Sequence, residues 1–253
     1  MAADWSPITR ELGLWRQEGL GLKLWWRDDD AITATPELET LRLLSVRLGM
    51  DVHLAVIPKL ADARLVAVCA ETPHFVPVVH GWAHENHAVE GQKKAEFGAP
   101  RADLESDAAA GLARLDTLFG HRILPLFVPP WNRVTPELLP KLPDLGYAAV
   151  STYTPRAGVF AAPGLVQINT HLDPVNWRGG RRLMDEDALI AQLAKLLQDR
   201  RSGKTDNSEP LGLLTHHLIH DEATWGFVER CLGQLLDGGA APEKVLNIRG
   251  HQA

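Results

Sequence analysis

The chain has few cysteines and no long hydrophobic run, and each shortage excludes a class of protein. Its two cysteines, Cys69 and Cys231, lie in apolar stretches of helical character, which favours buried thiols over a disulfide or a catalytic cysteine. No apolar stretch approaches the roughly 20 residues that cross a bilayer, so we expect no membrane span. The amino terminus lacks a basic segment followed by an apolar one, so we expect no signal peptide and a cytoplasmic protein.

Runs of basic residues are also absent. The 253 residues include 26 Lys and Arg against 32 Asp and Glu, and the net charge of −6 argues against a nucleic-acid surface. A hydrophobic content of 45% is enough to bury one substantial core. We therefore predict a single α/β domain over residues 1–253, with an amino-terminal helix at about residues 5–19 and a small molecule or carbohydrate as partner. The sequence does not indicate an oligomeric state.

Short apolar segments of strand length alternate mostly with helical patterns. The predicted strands are Leu22–Trp26, Val52–Ile57, Phe75–Val79, Ile123–Val128, Tyr147–Thr152, Leu165–Asn169 and Leu211–Thr215. The tripeptide Thr-Pro-Glu at 35–37 and again at 135–137 is typical of a helix start. A doubly wound sheet usually carries a glycine-rich phosphate loop after its first strand, but three aspartates stand there. We therefore predict an irregular (β/α) barrel of about seven parallel strands.

Polar clusters follow several of these strands, and the carboxyl ends of parallel barrel strands open on one face. The residues at these ends are Asp29, Asp30, His80, His84, Trp131, His216, His217 and His220. A carboxylate and two histidines four residues apart can hold a divalent ion while leaving coordination positions free for water and substrate. Hydrolysis at such an ion also needs a base for the water and an acid for the leaving group.

Four motifs together resemble those of the polysaccharide deacetylase superfamily, carbohydrate esterase family four. They are Arg27-Asp28-Asp29-Asp30, His80-Gly-Trp-Ala-His84, Pro129-Pro130-Trp131-Asn132 and Leu214-Thr215-His216. The resemblance covers roughly Leu22 to His220, and four motifs in the right order make it fairly specific. It implies a distorted (β/α) barrel and a metal-dependent hydrolase that removes acetyl groups from N-acetylated sugars or polysaccharides.

The resemblance also implies roles for the aspartates and the ion. Aligning Ala31 with the small residue that follows the family's aspartate pair makes Asp29 the general base and Asp30 a metal ligand. The shifted alignment, with Asp28 as base and Asp29 as ligand, stays open. The expected ion is Zn²⁺, for which Co²⁺, Ni²⁺ or Mn²⁺ could substitute.

The histidines divide between the metal and the leaving group. By resemblance, His80 and His84 are the other two metal ligands, and His216 is the general acid, with His217 and His220 as alternatives. Supporting or substrate-binding positions are expected at Arg27, Trp82, His87, Pro130, Trp131, Arg133, His217 and His220.

Two departures indicate a divergent branch. Val128 stands where the family usually has an arginine that orients the base, and either Arg27 or Arg133 could replace that guanidinium. Asn132 stands where the family usually has glycine.

Two alternative functions stay open. One is hydrolysis of a non-sugar carbon–nitrogen bond, such as that of a cyclic amide, which a cytoplasmic location favours because polymer deacetylases generally act outside the cell. The other is a catalytically silent carbohydrate-binding barrel with a structural metal, which the loss of arginine at Val128 favours.

Overall fold

The computed structural model describes residues 3–243. Its helices are α1 (Ser6–Gln17), α2 (Pro36–Leu48), α3 (Ala63–Glu71), α4 (Leu104–Phe119), α5 (Glu186–Arg201) and α6 (Glu222–Asp237). Its strands are β1 (Lys23–Ala31), β2 (Val52–Val56), β3 (Phe75–His80), β4 (Leu126–Val128), β5 (Ala149–Val150), β6 (Phe160–Ala162), β7 (Leu165–Gln167), β8 (Val175–Asn176), β9 (Arg182–Leu183), β10 (Leu211–Thr215) and β11 (Ala241–Pro242).

The central sheet confirms the predicted irregular barrel. Seven strands pair in parallel in the order β10-β1-β2-β3-β4-β5-β7, and β6 adds an antiparallel edge to β7. Strand β11 pairs with β1, and β8 and β9 form a separate hairpin. The named strands do not form a closed ring. A single bridge between Leu172 and Leu213 spans the gap between the chain after β7 and β10.

A buried carboxylate ties the two sides of this gap together. Glu209, just before β10, accepts the backbone N–H of Asn169 at 2.8 Å and that of Arg156 at 3.1 Å. The N–H of Gly212 donates to Nδ1 of His171, so the other ring nitrogen carries the proton that is donated to Glu209. The side chain of Glu209 thus satisfies backbone donors that a closed sheet would have paired.

Alternating strand residues divide the apolar core in two, as the two faces of a strand require. Leu24, Trp26 and Phe127 belong to a large cluster that includes the helix residues. Trp25 and Val128 belong to a smaller cluster made of residues from the strands and their ends. The smaller cluster therefore fills the barrel interior, and the larger one fills the layer between strands and helices.

Two predicted elements differ in the structure from what the sequence indicated. Strand β1 continues to Ala31, so the three aspartates lie within it and not in a loop after it. The helix predicted from Thr135 is wrong, because that segment forms only a 3₁₀ turn at Leu139–Lys141. Pro140 and Pro143 explain the difference, since neither can donate a backbone hydrogen bond to continue a helix.

The described residues also bear on cysteine chemistry, membrane insertion and domain bounds. Both thiols are buried and unpaired, and burial raises the pKa of each to about 12.

No helix within residues 3–243 has the length and apolar character that crossing a bilayer requires. Residues 1, 2 and 244–253 lie outside the described part, so the single domain over residues 1–253 stays a prediction.

One ionisable side chain is buried among the strands without a charged partner. His53 on β2 lies edge-on to the Trp25 ring, and its Nδ1 is 3.2 Å from the carbonyl oxygen of Trp26. Its Nε2 is buried without a hydrogen-bond partner. Burial lowers the pKa of His53 to about 4, so the folded protein holds this imidazole neutral.

We expect His53 to make folding stability depend on pH. In the unfolded chain the imidazole has its ordinary pKa of 6.5 and binds a proton below that pH. In the folded chain the pKa of His53 is about 4, so the imidazole stays neutral until the pH falls to that value. The contribution of His53 to the free energy of unfolding is therefore fully present above the pKa of the unfolded imidazole. It is lost as the pH falls, by about 2 kcal/mol between neutral pH and about pH 5. His53→Gln should remove that part of the loss in urea unfolding at the two pH values. His121→Gln, at an exposed histidine, is the control and should leave the loss unchanged.

Candidate metal centre and active site

Three potential metal ligands meet at the carboxyl ends of β1 and β3. His80 is the last residue of β3, and His84 follows in the next turn with a positive φ of 58°. A register shift between Asp28 and Ala31 and a φ of 77° at Asp30 turn the third aspartate toward these histidines. The ligand atoms of Asp30, His80 and His84 all lie within 4.8 Å of one another.

The geometry of this group fits a divalent ion. Oδ1 of Asp30 is 3.1 Å from Nε2 of His80 and 3.2 Å from Nε2 of His84. Tetrahedral ligands about 2.1 Å from a zinc ion lie about 3.4 Å apart, which is close to these separations. His80 Nδ1 lies 3.0 Å from the Val128 carbonyl oxygen, so it carries the proton and leaves the Nε2 lone pair free for the ion.

The charges around the group also favour a cation. Burial alone would raise the pKa of Asp30, but His80, with His216 and His84, holds it well below its usual range. Burial would likewise lower the pKa of His80, yet Asp29 and Asp30 raise it. The site therefore has a negative potential that attracts positive charge.

A buried glutamate shapes the turn that carries the two histidines. Glu96, 1% exposed, accepts the backbone N–H of Ala83 at 2.7 Å and that of Trp82 at 3.3 Å. Gly81 has a φ of 56°, and a Cβ there would lie 2.4 Å from the Glu96 carboxylate and 2.5 Å from Cδ of Pro130. Only glycine therefore allows Glu96 and Pro130 to close on this turn.

Asp29, the residue predicted to be the base, is held by a guanidinium from its own strand. Arg27 donates from Nε to Oδ1 of Asp29 at 2.8 Å and from a terminal nitrogen to Oδ2 at 3.0 Å. Arg27 also donates to Asn132 Oδ1 at 2.7 Å, to Ser151 Oγ at 2.6 Å and to the backbone carbonyl of Thr152 at 3.3 Å. Arg133 instead donates to the backbone carbonyl of Lys94, so of the two arginines only Arg27 pairs with Asp29.

Among the three histidines after β10, His216 is the one beside Asp29. Its Nε2 is 4.0 Å from Oδ2 of Asp29, and its ring lies edge-on to Trp177 with centroids 4.7 Å apart. Burial raises the pKa of nearby Asp173, and the charge of His216 acts against that rise. Asp173 also accepts the indole N–H of Trp177 at 2.8 Å.

The other two histidines have different partners. His217 Nδ1 forms a very short contact with Asp28, and both side chains are fully buried. Burial by itself would lower the pKa of His217 and raise that of Asp28, but their mutual attraction reverses both shifts, so the pair is ionised. His220 accepts the backbone N–H of His216 at 3.2 Å, and burial lowers the pKa of His220 to about 4, which keeps it a neutral acceptor.

The remaining predicted positions lie at different distances from the centre. Trp131 has its ring centroid 4.3 Å from that of His84, and Pro130 lies against Gly81. Trp82 packs against the main core, and the backbone N–H of His87 donates to the Ala95 carbonyl. Within residues 3–243, the group of potential metal ligands does not include His87.

Three residues that shape the site were given no role from the sequence. Glu96 stands in a polar loop, and Ser151 and Thr215 stand at strand ends with no charge to mark them. Each acts through a hydrogen bond to a residue distant in sequence, so no local pattern could have revealed it.

No protein-family model and no curated protein matches the sequence. Solved structures, however, share its fold. One is the Bc1960 peptidoglycan N-acetylglucosamine deacetylase, with a TM-score of 0.58 and 14% identity over 90% of this chain and 88% of that one. Another is a family 4 acetyl xylan esterase from Clostridium thermocellum with a cobalt ion, with a TM-score of 0.53 and 11% identity over 90% of both chains.

A third structure with this fold is a pseudoenzyme. It is BA3943 of the CE4 family from Bacillus anthracis, with a TM-score of 0.57 and 10% identity over 90% of this chain and 65% of that one. The resemblance drawn from the motifs is thus confirmed at the level of fold. The chain has the fold of the CE4 polysaccharide deacetylases and is a divergent example of it, at 10–15% sequence identity.

Proposed function

We propose that the protein is a metal-dependent hydrolase that removes an acetyl group from an N-acetylated sugar or polysaccharide. The observation that carries this proposal is the arrangement at one rim of the barrel. Three ligand atoms from Asp30, His80 and His84 converge there, and the Asp29 carboxylate and the His216 imidazole lie beside them. A cation site with a base and an acid at hand is what amide hydrolysis requires.

Asp30, His80 and His84 would hold the ion, most simply Zn²⁺, with Co²⁺, Ni²⁺ or Mn²⁺ as substitutes. A divalent ion supplies Lewis acidity there, which activates water and polarises the amide carbonyl. The alignment with Asp30 as ligand is favoured over the shifted one, because the side chain of Asp28 is paired with His217 and turned away from His80 and His84.

The two proton transfers fall to Asp29 and His216. The Asp29 carboxylate would take the proton of the attacking water, and Arg27 holds both of its oxygens in a fixed plane. His216 would then donate a proton from Nε2 to the departing nitrogen as the carbon–nitrogen bond breaks. Its Nε2 lies 4.0 Å from Asp29 Oδ2, and this proximity supports an acid and a base that act on the same reacting group.

Aromatic rings flank the centre on two sides and suit a sugar. Trp131 lies against His84, and Trp177, 47% exposed, lies against His216. Flat indole faces stack on the C–H faces of sugar rings. These two positions support a carbohydrate substrate that crosses the metal site from one tryptophan to the other.

Two substitutions separate the roles of neighbouring aspartates. Asp29→Asn should lower kcat by at least about 100-fold, because the amide cannot accept the proton, while zinc content stays intact. Asp30→Asn should instead lower zinc affinity, by on the order of 100-fold, because a charged ligand is lost. Steady-state kinetics and metal analysis of the purified variants distinguish the two. Full activity in Asp29→Asn, or unchanged zinc affinity in Asp30→Asn, contradicts the assignment.

The substrate class is tested by a screen with the metal-loaded protein. Acetylated oligosaccharides should release acetate, whereas small cyclic amides should not be opened. Opening of the cyclic amides would favour the alternative hydrolase. Sugar binding without hydrolysis at several divalent metals would favour a silent binding barrel.

Substitution of Arg27 should lower kcat more than substitution of Arg133. Arg27→Lys keeps the positive charge but cannot hold both Asp29 oxygens, and a base misplaced by about 1 Å costs on the order of 100-fold in kcat. Arg133→Lys is the matched control and should leave kcat unchanged, since its contact is to a backbone carbonyl. Equal losses in both variants would refute a specific action of Arg27 on Asp29.

A further inference from the structure

The proposed reaction uses two of the three consecutive aspartates and leaves Asp28 without a function. Asp28 is fully buried, and its carboxylate accepts three hydrogen bonds from the last residue of β10 and the segment that follows it. Oδ2 accepts from the Thr215 hydroxyl at 2.6 Å and from the backbone N–H of His217 at 3.0 Å. Oδ1 accepts a hydrogen bond from Nδ1 of the His217 ring.

These contacts lie immediately before and after His216 in the chain. Thr215 precedes it and His217 follows it, so the Asp28 carboxylate accepts hydrogen bonds from both neighbours of His216. The Thr215 hydroxyl in turn accepts the indole N–H of Trp26 at 2.9 Å, which ties the same point to β1 a second time. The backbone N–H of His216 itself donates to His220. The backbone at His216 is therefore fixed on both sides and at its own amide.

The same strand therefore determines where the base and the acid stand. Successive side chains of a strand point to opposite faces, so Asp29 faces the site with Arg27 while Asp28 faces the segment that carries His216. We propose that Asp28 and His217 form a positioning pair that fixes the His216 ring relative to Asp29. The pair is not part of the group of potential metal ligands, and the inference rests on the proposed function of His216 as general acid.

A positioning pair has a physical consequence that simple stabilisation lacks. Hydrolysis of an amide needs a proton on the departing nitrogen, because an amide anion is a very poor leaving group. An aryl ester such as para-nitrophenyl acetate releases a stable phenolate and needs no such proton. Damage to the position of His216 should therefore impair amide hydrolysis and spare aryl ester hydrolysis.

The test compares these two substrates in Asp28→Asn, which keeps the size of the side chain but loses its charge. We expect kcat for an N-acetylated sugar to fall by on the order of 100-fold, with KM and zinc affinity unchanged, and kcat for the aryl ester to stay within about threefold. His216→Ala should give the same pattern. Asp62→Asn, at the cap of α3 and outside the proposed ligand, base and acid residues, is the matched control and should leave both rates unchanged.

An equal fall on both substrates, or no fall on either, overturns the proposal. His217→Gln is the second variant if Asp28→Asn does not fold, because it leaves the backbone contact to Asp28 in place. If the wild-type protein hydrolyses neither substrate, the proposed function fails, and the ring resonances of His216 in ¹H–¹⁵N spectra still test the pair. They should broaden or shift in Asp28→Asn while those of His80 and His84 stay unchanged, and an unchanged His216 resonance refutes the positioning.

Discussion

Three adjacent carboxylates at the end of one buried strand each need a partner that compensates the negative charge. The three sets of partners together form the site. A buried charge without a partner costs several kcal/mol, and like charges in sequence repel one another. The three aspartates have different partners: Asp28 pairs with His217, Asp29 with Arg27, and Asp30 with His80 and His84. The pleat of β1 sends Asp28 and Asp29 to opposite faces, and the register shift after Asp28 turns Asp30 to the rim. Because all three belong to one strand, the proposed ligand Asp30, the proposed base Asp29 and the segment that carries His216 are positioned by the same stretch of backbone.

The two departures from the family motifs have a joint explanation in the barrel interior. Val128 fills the interior beside Trp25 as an apolar side chain, and the guanidinium that the resemblance leads one to expect there comes from Arg27 instead. Asn132, in place of a glycine, accepts a hydrogen bond from that same guanidinium at 2.7 Å. A buried arginine needs several acceptors, and Asn132, Ser151 and the Thr152 carbonyl supply those that Asp29 does not. The change at Val128 therefore indicates a relocated arginine, and it no longer favours a silent barrel.

The sequence predicted the frame of the molecule well because the frame depends on local patterns. Apolar runs between helical segments predicted the seven parallel strands, and the ends of those strands predicted the rim on which Asp30, His80 and His84 meet. Local patterns also misled, since the Thr-Pro-Glu signal at Thr135 is overridden by later prolines. The hairpin β8–β9 and the support from Glu96 were invisible, because two-residue strands and single buried carboxylates leave no periodic signal. Pairings such as Asp28 with His217 join residues far apart in sequence and follow only from the parallel contact of β1 with β10.

The number of ligands and the groups around them favour catalysis over a structural metal. Structural zinc sites in proteins are closed by four side chains, whereas catalytic sites keep a position open. Within residues 3–243 the group that could hold an ion has three members, and Asp29 and His216 lie next to it without belonging to it. A structural ion would not need the Asp29 carboxylate to be held in a fixed plane by the buried Arg27. Nor would it need hydrogen bonds that fix the backbone of His216 and of the residues on either side of it. Burying and satisfying these polar groups is costly, and the proposed proton transfers by Asp29 and His216 account for that cost.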